Sequence, residues 1–188
     1  MNKRVVVFVC LFVFALGGVM AYDNMTTVGL DFGALTYPDK DPYKFTGVYA
    51  GFYSYPDQFS ASGFFAQASA QTMVSDSQND WFTTYLMNIL LGYSHRFELS
   101  KMFDLVVSAG PSYQMLDLEV KTLWGTTTIS ASMLGFGASV EANFLLSPKM
   151  TINGGLSVLA GIYDLHDKEI VDDIPVTART YIGVGFCF

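Results

Sequence analysis

Charge is scarce in this chain. Asp, Glu, Lys and Arg make up 14% of it, against about 25% in an ordinary soluble domain. A water-facing surface rich in Lys and Glu cannot be built from that. Basic residues are the scarcer kind: ten Lys and Arg face 17 Asp and Glu, for a formal charge of −7. That balance argues against nucleic acid as a partner. Cysteine occurs only as Cys10 and Cys187, and Cys10 lies in an N-terminal apolar run, so a mature chain would hold no internal disulfide. Beyond that run no stretch is long and apolar enough for a membrane-crossing helix. No calcium-loop spacing occurs either, and no pattern calls for a metal or another cofactor.

Hydrophobicity is abundant: 51% of residues are hydrophobic and 15% aromatic. High hydrophobicity without a helical span points to alternating strands that face lipid. At the N-terminus, Lys3 and Arg4 precede the apolar run Val5 to Leu16, followed by Gly17-Gly18-Val19-Met20-Ala21. This is the layout of a secretory signal peptide with cleavage expected before Tyr22. The expected organisation is therefore a signal peptide over 1–21 and one domain over 22–188. Loss of Lys3 and Arg4 takes the formal charge from −7 to −9.

The last eight residues organise the reading of that domain. Ile182, Val184, Phe186 and Phe188 alternate with Tyr181, Gly183, Gly185 and Cys187, the period-2 pattern of a strand with one apolar face. An apolar strand left unpaired at an edge invites association with other chains. Pairing the last strand with the first, in a closed barrel, removes that edge.

Seven further segments share the pattern: Thr26 to Leu35, Thr46 to Tyr53, Phe59 to Met73, Trp81 to Phe97, Phe103 to Met115, Ile129 to Phe144 and Met150 to Tyr163. The eighth strand starts at Val176. Phase slips suggest β-bulges near Gly63-Phe64 and near Met133-Leu134. Tight turns fall near Pro56, Leu99 and Pro148, and longer polar loops near Asp39, Ser77, Trp124 (about Asp117 to Thr127) and Asp167. Both termini then share the tight-turn side, the topology of an outer-membrane barrel. The fold class expected is all-β, a closed eight-stranded antiparallel up-and-down transmembrane barrel. A soluble barrel has the same period with its faces exchanged. Here the non-greasy face carries Gly, Ser, Thr, Asn, Gln and Tyr, which suits a narrow interior better than a water-facing surface.

The chain resembles small eight-stranded bacterial outer-membrane barrels of the OmpA-barrel, OmpX and OmpW group, and its end resembles their C-terminal assembly signal in Tyr181, Gly183, Phe186 and Phe188. The resemblance implies export through the periplasm, reading of that signal by the barrel-assembly machinery, outer-membrane lipids as surroundings and a monomeric state.

Five ionisable residues fall on the inward phase: Asp31, Arg96, Asp104, Glu141 and Arg179. Buried charges must be paired. Asp31 and Arg179, on the first and last strands, should form an upper pair, while Arg96, Asp104 and Glu141 should meet in a lower cluster. Such a network serves either as packing in a plugged lumen or as the gate of a narrow conduit for ions or small apolar molecules, lined by Leu86, Leu90 and Leu159 as the OmpW resemblance implies. No catalytic residue is assigned. His95 follows Ser94 on the outward phase at the membrane edge, His166 lies in an acidic loop, and neither belongs to a recognisable nucleophile–base spacing. Aromatic girdles account for Trp81 and Trp124. Asp39, Asp41, Asp76, Asp80, Asp117, Glu119, Asp164, Asp167, Glu169, Asp172 and Asp173 outnumber Lys40, Lys44, Lys121 and Lys168 in the long loops. That acidic rim is a candidate contact for cations or a host surface molecule.

Overall fold

The computed structural model describes residues 24–38, 41–56, 60–74, 82–122, 125–167, 169–171 and 173–188. The expected signal peptide and its cleavage point lie outside these residues. So do Trp81, Trp124, Asp39, Lys40, Asp76, Ser77, Asp80, Lys168 and Asp172.

The strands are β1 (Asn24–Thr36), β2 (Tyr43–Ser54), β3 (Ser62–Met73), β4 (Phe82–Ser100), β5 (Phe103–Thr122), β6 (Gly125–Ser147), β7 (Met150–Asp164), the two-residue β8 (Glu169–Ile170) and β9 (Val176–Cys187). Each wall strand pairs with its sequence neighbour, β9 joins β7 to β1, and the β6–β7 pairing completes the circle. β8 is a side pairing on β7, through Tyr163↔Ile170 and Asp164↔Glu169. The wall is thus a closed barrel of eight antiparallel strands. Its seam is β1 against β9, in unbroken register from Met25↔Cys187 to Thr36↔Val176. Asn24 and Phe188 exchange both backbone hydrogen bonds at 2.9 Å. The apolar last strand therefore presents no free edge.

Which face meets which solvent is settled by burial. Leu30, Phe64, Phe136, Leu156 and Ile182 are 55%, 60%, 64%, 60% and 57% exposed on the outside, while Asp31, Gln67 and Asn88 are at most 1% exposed inside. An apolar belt this continuous is untenable in water and natural against hydrocarbon. The soluble barrel with exchanged faces is thereby set aside.

Two sequence expectations need correction, and a third is met with the extra residue on the neighbouring strand. β3 carries no bulge at Gly63-Phe64, since its registers with β2 and β4 run without a break. The apparent slip arises because Phe65, a large apolar residue, points inward and is fully buried. Near Met133-Leu134 an irregularity does occur, between Leu134 and Gly135 in the β6–β7 ladder. The extra residue there is Ile162 of β7, because Leu134 pairs with Tyr163 and Gly135 with Gly161. Finally, 117–127 is chiefly a hairpin and not a loop: β5 and β6 stay paired to Thr122↔Gly125. Val120, Thr122, Thr126 and Thr127 are good strand formers, and that preference extends the ladder through a stretch whose polarity suggests a loop.

Candidate functional site

The interior is built by one phase of every strand. Odd positions point inward in β1, β2, β3, β6, β7 and β9, and even ones in β4 and β5, so side chains from eight strands converge on one narrow axis. Eight strands leave an interior that side chains can just fill.

At the long-loop end Leu35, Phe45 and Leu86 pack into one buried cluster, with Tyr37, Met73 and Leu116 against it. Burial, followed by the nearby Tyr43 and Asp164, pushes the Tyr37 phenol above its ordinary pKa, so this lid stays neutral. Below it lies the upper ion pair. Arg179 Nη2 is 2.7 Å from Asp31 Oδ2, and Arg179 Nε donates to the same oxygen at 3.0 Å. Both side chains are 0% exposed. The seam register explains the meeting: Asp31 stands opposite Tyr181 and Gly33 opposite Arg179, so the two charges are diagonal neighbours.

The mid-barrel layer is a tyrosine network. Gln67 Nε2 donates to the Tyr53 hydroxyl at 2.8 Å and to the Tyr181 hydroxyl at 3.1 Å. Tyr53 in turn donates to Glu141 Oε2 at 3.0 Å. Tyr49 donates to Asn153 Oδ1 at 2.7 Å, and its ring leans on Tyr181 with centroids 4.5 Å apart. Glycines make the room. A Cβ on Gly155 would meet Tyr181 Cζ at 2.6 Å, and one on Gly183 would meet the Tyr49 hydroxyl at 2.8 Å. Tyr53, Phe65, Leu90, Val106 and Leu159 form the buried apolar cluster beside this layer.

Of the three charges expected to cluster below, Arg96 and Asp104 come together and Glu141 stands apart. Arg96 and Asp104 line one cavity of about 150 Å³ at the tight-turn end, with Tyr55, Asn143 and Thr151 among its walls. The Arg96 guanidinium lies 4.5 Å from the Tyr55 ring centroid, and its Nη2 is 3.8 Å from Glu98 Oε1 at the barrel mouth. Glu141 does not line that cavity, and Tyr53 is its hydrogen-bond donor. The reason is the tilt of the strands. Glu141 stands opposite Val106 on one side and Gly155 on the other, and the Gly155 gap admits the Tyr181 ring. The inward phase alone could have exposed Tyr49, Tyr53 and Gln67 as partners, because they alternate with outward-facing residues in the same strands.

Leu86, Leu90 and Leu159 do face inward and are 1%, 0% and 0% exposed. They pack into clusters instead of lining a bore. Of the residues that resemble an assembly signal, Tyr181 is buried in the network, while Phe186 and Phe188 are 49% and 60% exposed on the apolar face. Outside the barrel, His95 Nδ1 and Ser62 Oγ are 2.7 Å apart, with Phe97 edge-on at 4.5 Å. Among the described residues no carboxylate hydrogen-bonds that ring, so the pair lacks the orienting third group of a nucleophilic triad. His166 caps a turn through its backbone, whose N–H donates to Asp164 Oδ1 at 2.7 Å.

No family model matches the chain, and neither does any curated protein. Solved structures do. Ail, the attachment invasion locus protein of Yersinia pestis, is 12% identical with a TM-score of 0.60, covering 90% of this chain and 100% of that one. Neisserial surface protein A is 10% identical with a TM-score of 0.63, covering 88% and 97%. The outer membrane protein OprG from Pseudomonas aeruginosa is 10% identical with a TM-score of 0.55, covering 89% and 96%. The fold is that of small eight-stranded bacterial outer-membrane barrels, and at these identities the likeness extends to the fold alone.

Proposed function

We propose that this protein is a surface-display barrel of the bacterial outer membrane, with a closed lumen that serves as a rigid mount for its acidic long-loop rim. The observation that carries this reading is the filling of the interior in three tiers: the Leu35–Phe45–Leu86 lid, the Arg179–Asp31 pair and the Tyr53–Gln67–Tyr181–Glu141 network. A conduit needs a continuous path past all three. Arg96 and Asp104 line a small cavity at the tight-turn end. Tyr181, Gly183, Phe186 and Phe188 would be read during assembly, two of them as apolar side chains offered outward.

The rim decides the chemistry of a partner. Asp41, Asp117, Asp164, Asp167, Glu169 and Asp173 belong to the long-loop end, and Lys44 is the one cation of that end with a described side chain. One solved structure of Ail holds the heparin analogue sucrose octasulfate. The present rim is acidic and so has the same sign as that ligand; a polyanion of that kind would be repelled, and a basic surface is the fitting partner. Among the described residues no three His, Cys, Asp or Glu side chains converge as a metal site. The refolded barrel in nanodiscs should therefore bind immobilised polylysine and not immobilised heparin, and the polylysine binding should fall steeply between 50 and 500 mM salt, on the order of tenfold or more. Retention on heparin, or polylysine binding indifferent to salt, would overturn the reading.

A further inference from the structure

The outer wall of the barrel is not uniform. Across the seam near the long-loop end, one ladder row on the lipid-facing side reads Lys44, Ala34, Ala178, Val158, and the row beneath it reads Thr46, Phe32, Thr180, Leu156. Two alanines in the middle of the upper row recess the surface between larger neighbours. The result is a groove of about 580 Å³ walled by Phe32, Val74, Leu156 and Val158. All four wall residues are half or more exposed, so the groove opens toward the hydrocarbon. Its volume lies in the range of small-molecule sites, roughly 300–1,000 Å³.

Lys44 closes one end of this groove. Its backbone carbonyl accepts from Val74 N–H at 2.8 Å, which fixes the residue at the corner of the recess, and its side chain is exposed. Among described side chains it is the only cation on the outward wall at this end; Lys101 and Lys149 sit at the tight turns of the opposite end. Eight residues separate Thr26 from Ala34 along β1, about 26 Å of strand at ~3.3 Å per residue, or about 20 Å of depth at a tilt of ~40°. That places Lys44 near the upper margin of an apolar belt ~25 Å tall, at the level of lipid headgroups.

From this juxtaposition we infer that the groove is a specific site for one anionic phospholipid, with an acyl chain laid over Ala34 and Ala178 and the headgroup phosphate held by the Lys44 ammonium. The charge complementarity selects the phosphate, and the recess selects a chain over a featureless wall. Among the described residues Lys44 is the one cation on the outward wall at this end, and that makes the site single there.

Native mass spectrometry of the detergent-solubilised protein tests it, with phosphatidylglycerol and phosphatidylcholine of matched chains as probes. One phosphatidylglycerol per barrel should be retained with about tenfold preference over phosphatidylcholine, whose choline cation offsets the charge of the same phosphate beside Lys44. K44Q should abolish the preference, A178L should lower retention of both lipids, and K149Q should change neither. Heat-modifiable gel migration confirms that each variant is folded; the substituted side chains face outward, so folding is expected. Equal retention of the two lipids, a preference that survives K44Q, or one lost in K149Q would overturn the site. Displacement of the lipid by millimolar inorganic phosphate would also overturn it, since the groove would then not be selecting a lipid.

Discussion

Replacing Arg179 with alanine is expected to cost about 3–5 kcal/mol of unfolding free energy, because it strands the Asp31 carboxylate in the buried interior. The argument rests on burial. Both side chains are 0% exposed, and two guanidinium nitrogens share a single carboxylate oxygen. The cost belongs to the abandoned partner more than to the pair itself. A double variant, D31L together with R179M, should therefore recover most of the loss, since a buried ion pair can be exchanged for apolar residues at little net cost. Urea unfolding of the refolded barrel, followed by loss of heat-modifiable migration, measures both. An R179A barrel as resistant as wild type would show that the pair is not structural, and a double variant no better than R179A would show that the penalty is not one of stranded charge.

Gly183→Leu should be nearly as damaging for a different reason. A Cβ there runs into the Val28 carbonyl across the seam and meets the Tyr49 hydroxyl at 2.8 Å. The leucine would push Tyr49 away from Asn153 and from the Tyr181 ring, breaking a 2.7 Å hydrogen bond and a 4.5 Å ring contact. Overpacking of this kind costs about 1–3 kcal/mol, occasionally more, and the lost buried hydrogen bond adds about 1–3 kcal/mol. Gly183 also belongs to the stretch that resembles an assembly signal, and the two roles are separable. Unassisted refolding into lipid, with no machinery present, should fail or slow markedly if the glycine is needed for packing. Normal unassisted refolding with poor assembly in cells would assign it to the signal alone.

The sequence and the structure agree where period-2 alternation is sufficient and part where the strands' tilt matters. Closure was legible because Ile182, Val184, Phe186 and Phe188 form an apolar face that no edge strand could leave unpaired. Closure also brought Asp31 to Arg179, since the first and last strands must be neighbours. Counting residues from a turn, however, treats strands as upright, and that count put Glu141 beside Arg96 and Asp104. Tilted strands instead set Glu141 opposite Val106 and Gly155, within reach of Tyr53. The tyrosine network was legible as inward residues but not in its pairings, for a related cause. Tyr49, Tyr53 and Tyr181 sit on the inward phase, yet the partners that give them meaning come from strands as far apart in sequence as β3, β6 and β7. Phe65 shows the opposite failure. An apolar side chain on the polar phase suggested a bulge, whereas the small lumen of this barrel simply uses a phenylalanine as filler.

The most direct test of a closed, load-supporting interior is single-channel recording from the refolded protein in a planar bilayer, with heat-modifiable migration verifying the fold. Silence is expected if the lid, the ion pair and the tyrosine layer together block the passage of ions. Discrete, reproducible conductance steps from a correctly folded barrel would contradict it, and would make Asp31, Arg179 and Glu141 parts of a gate.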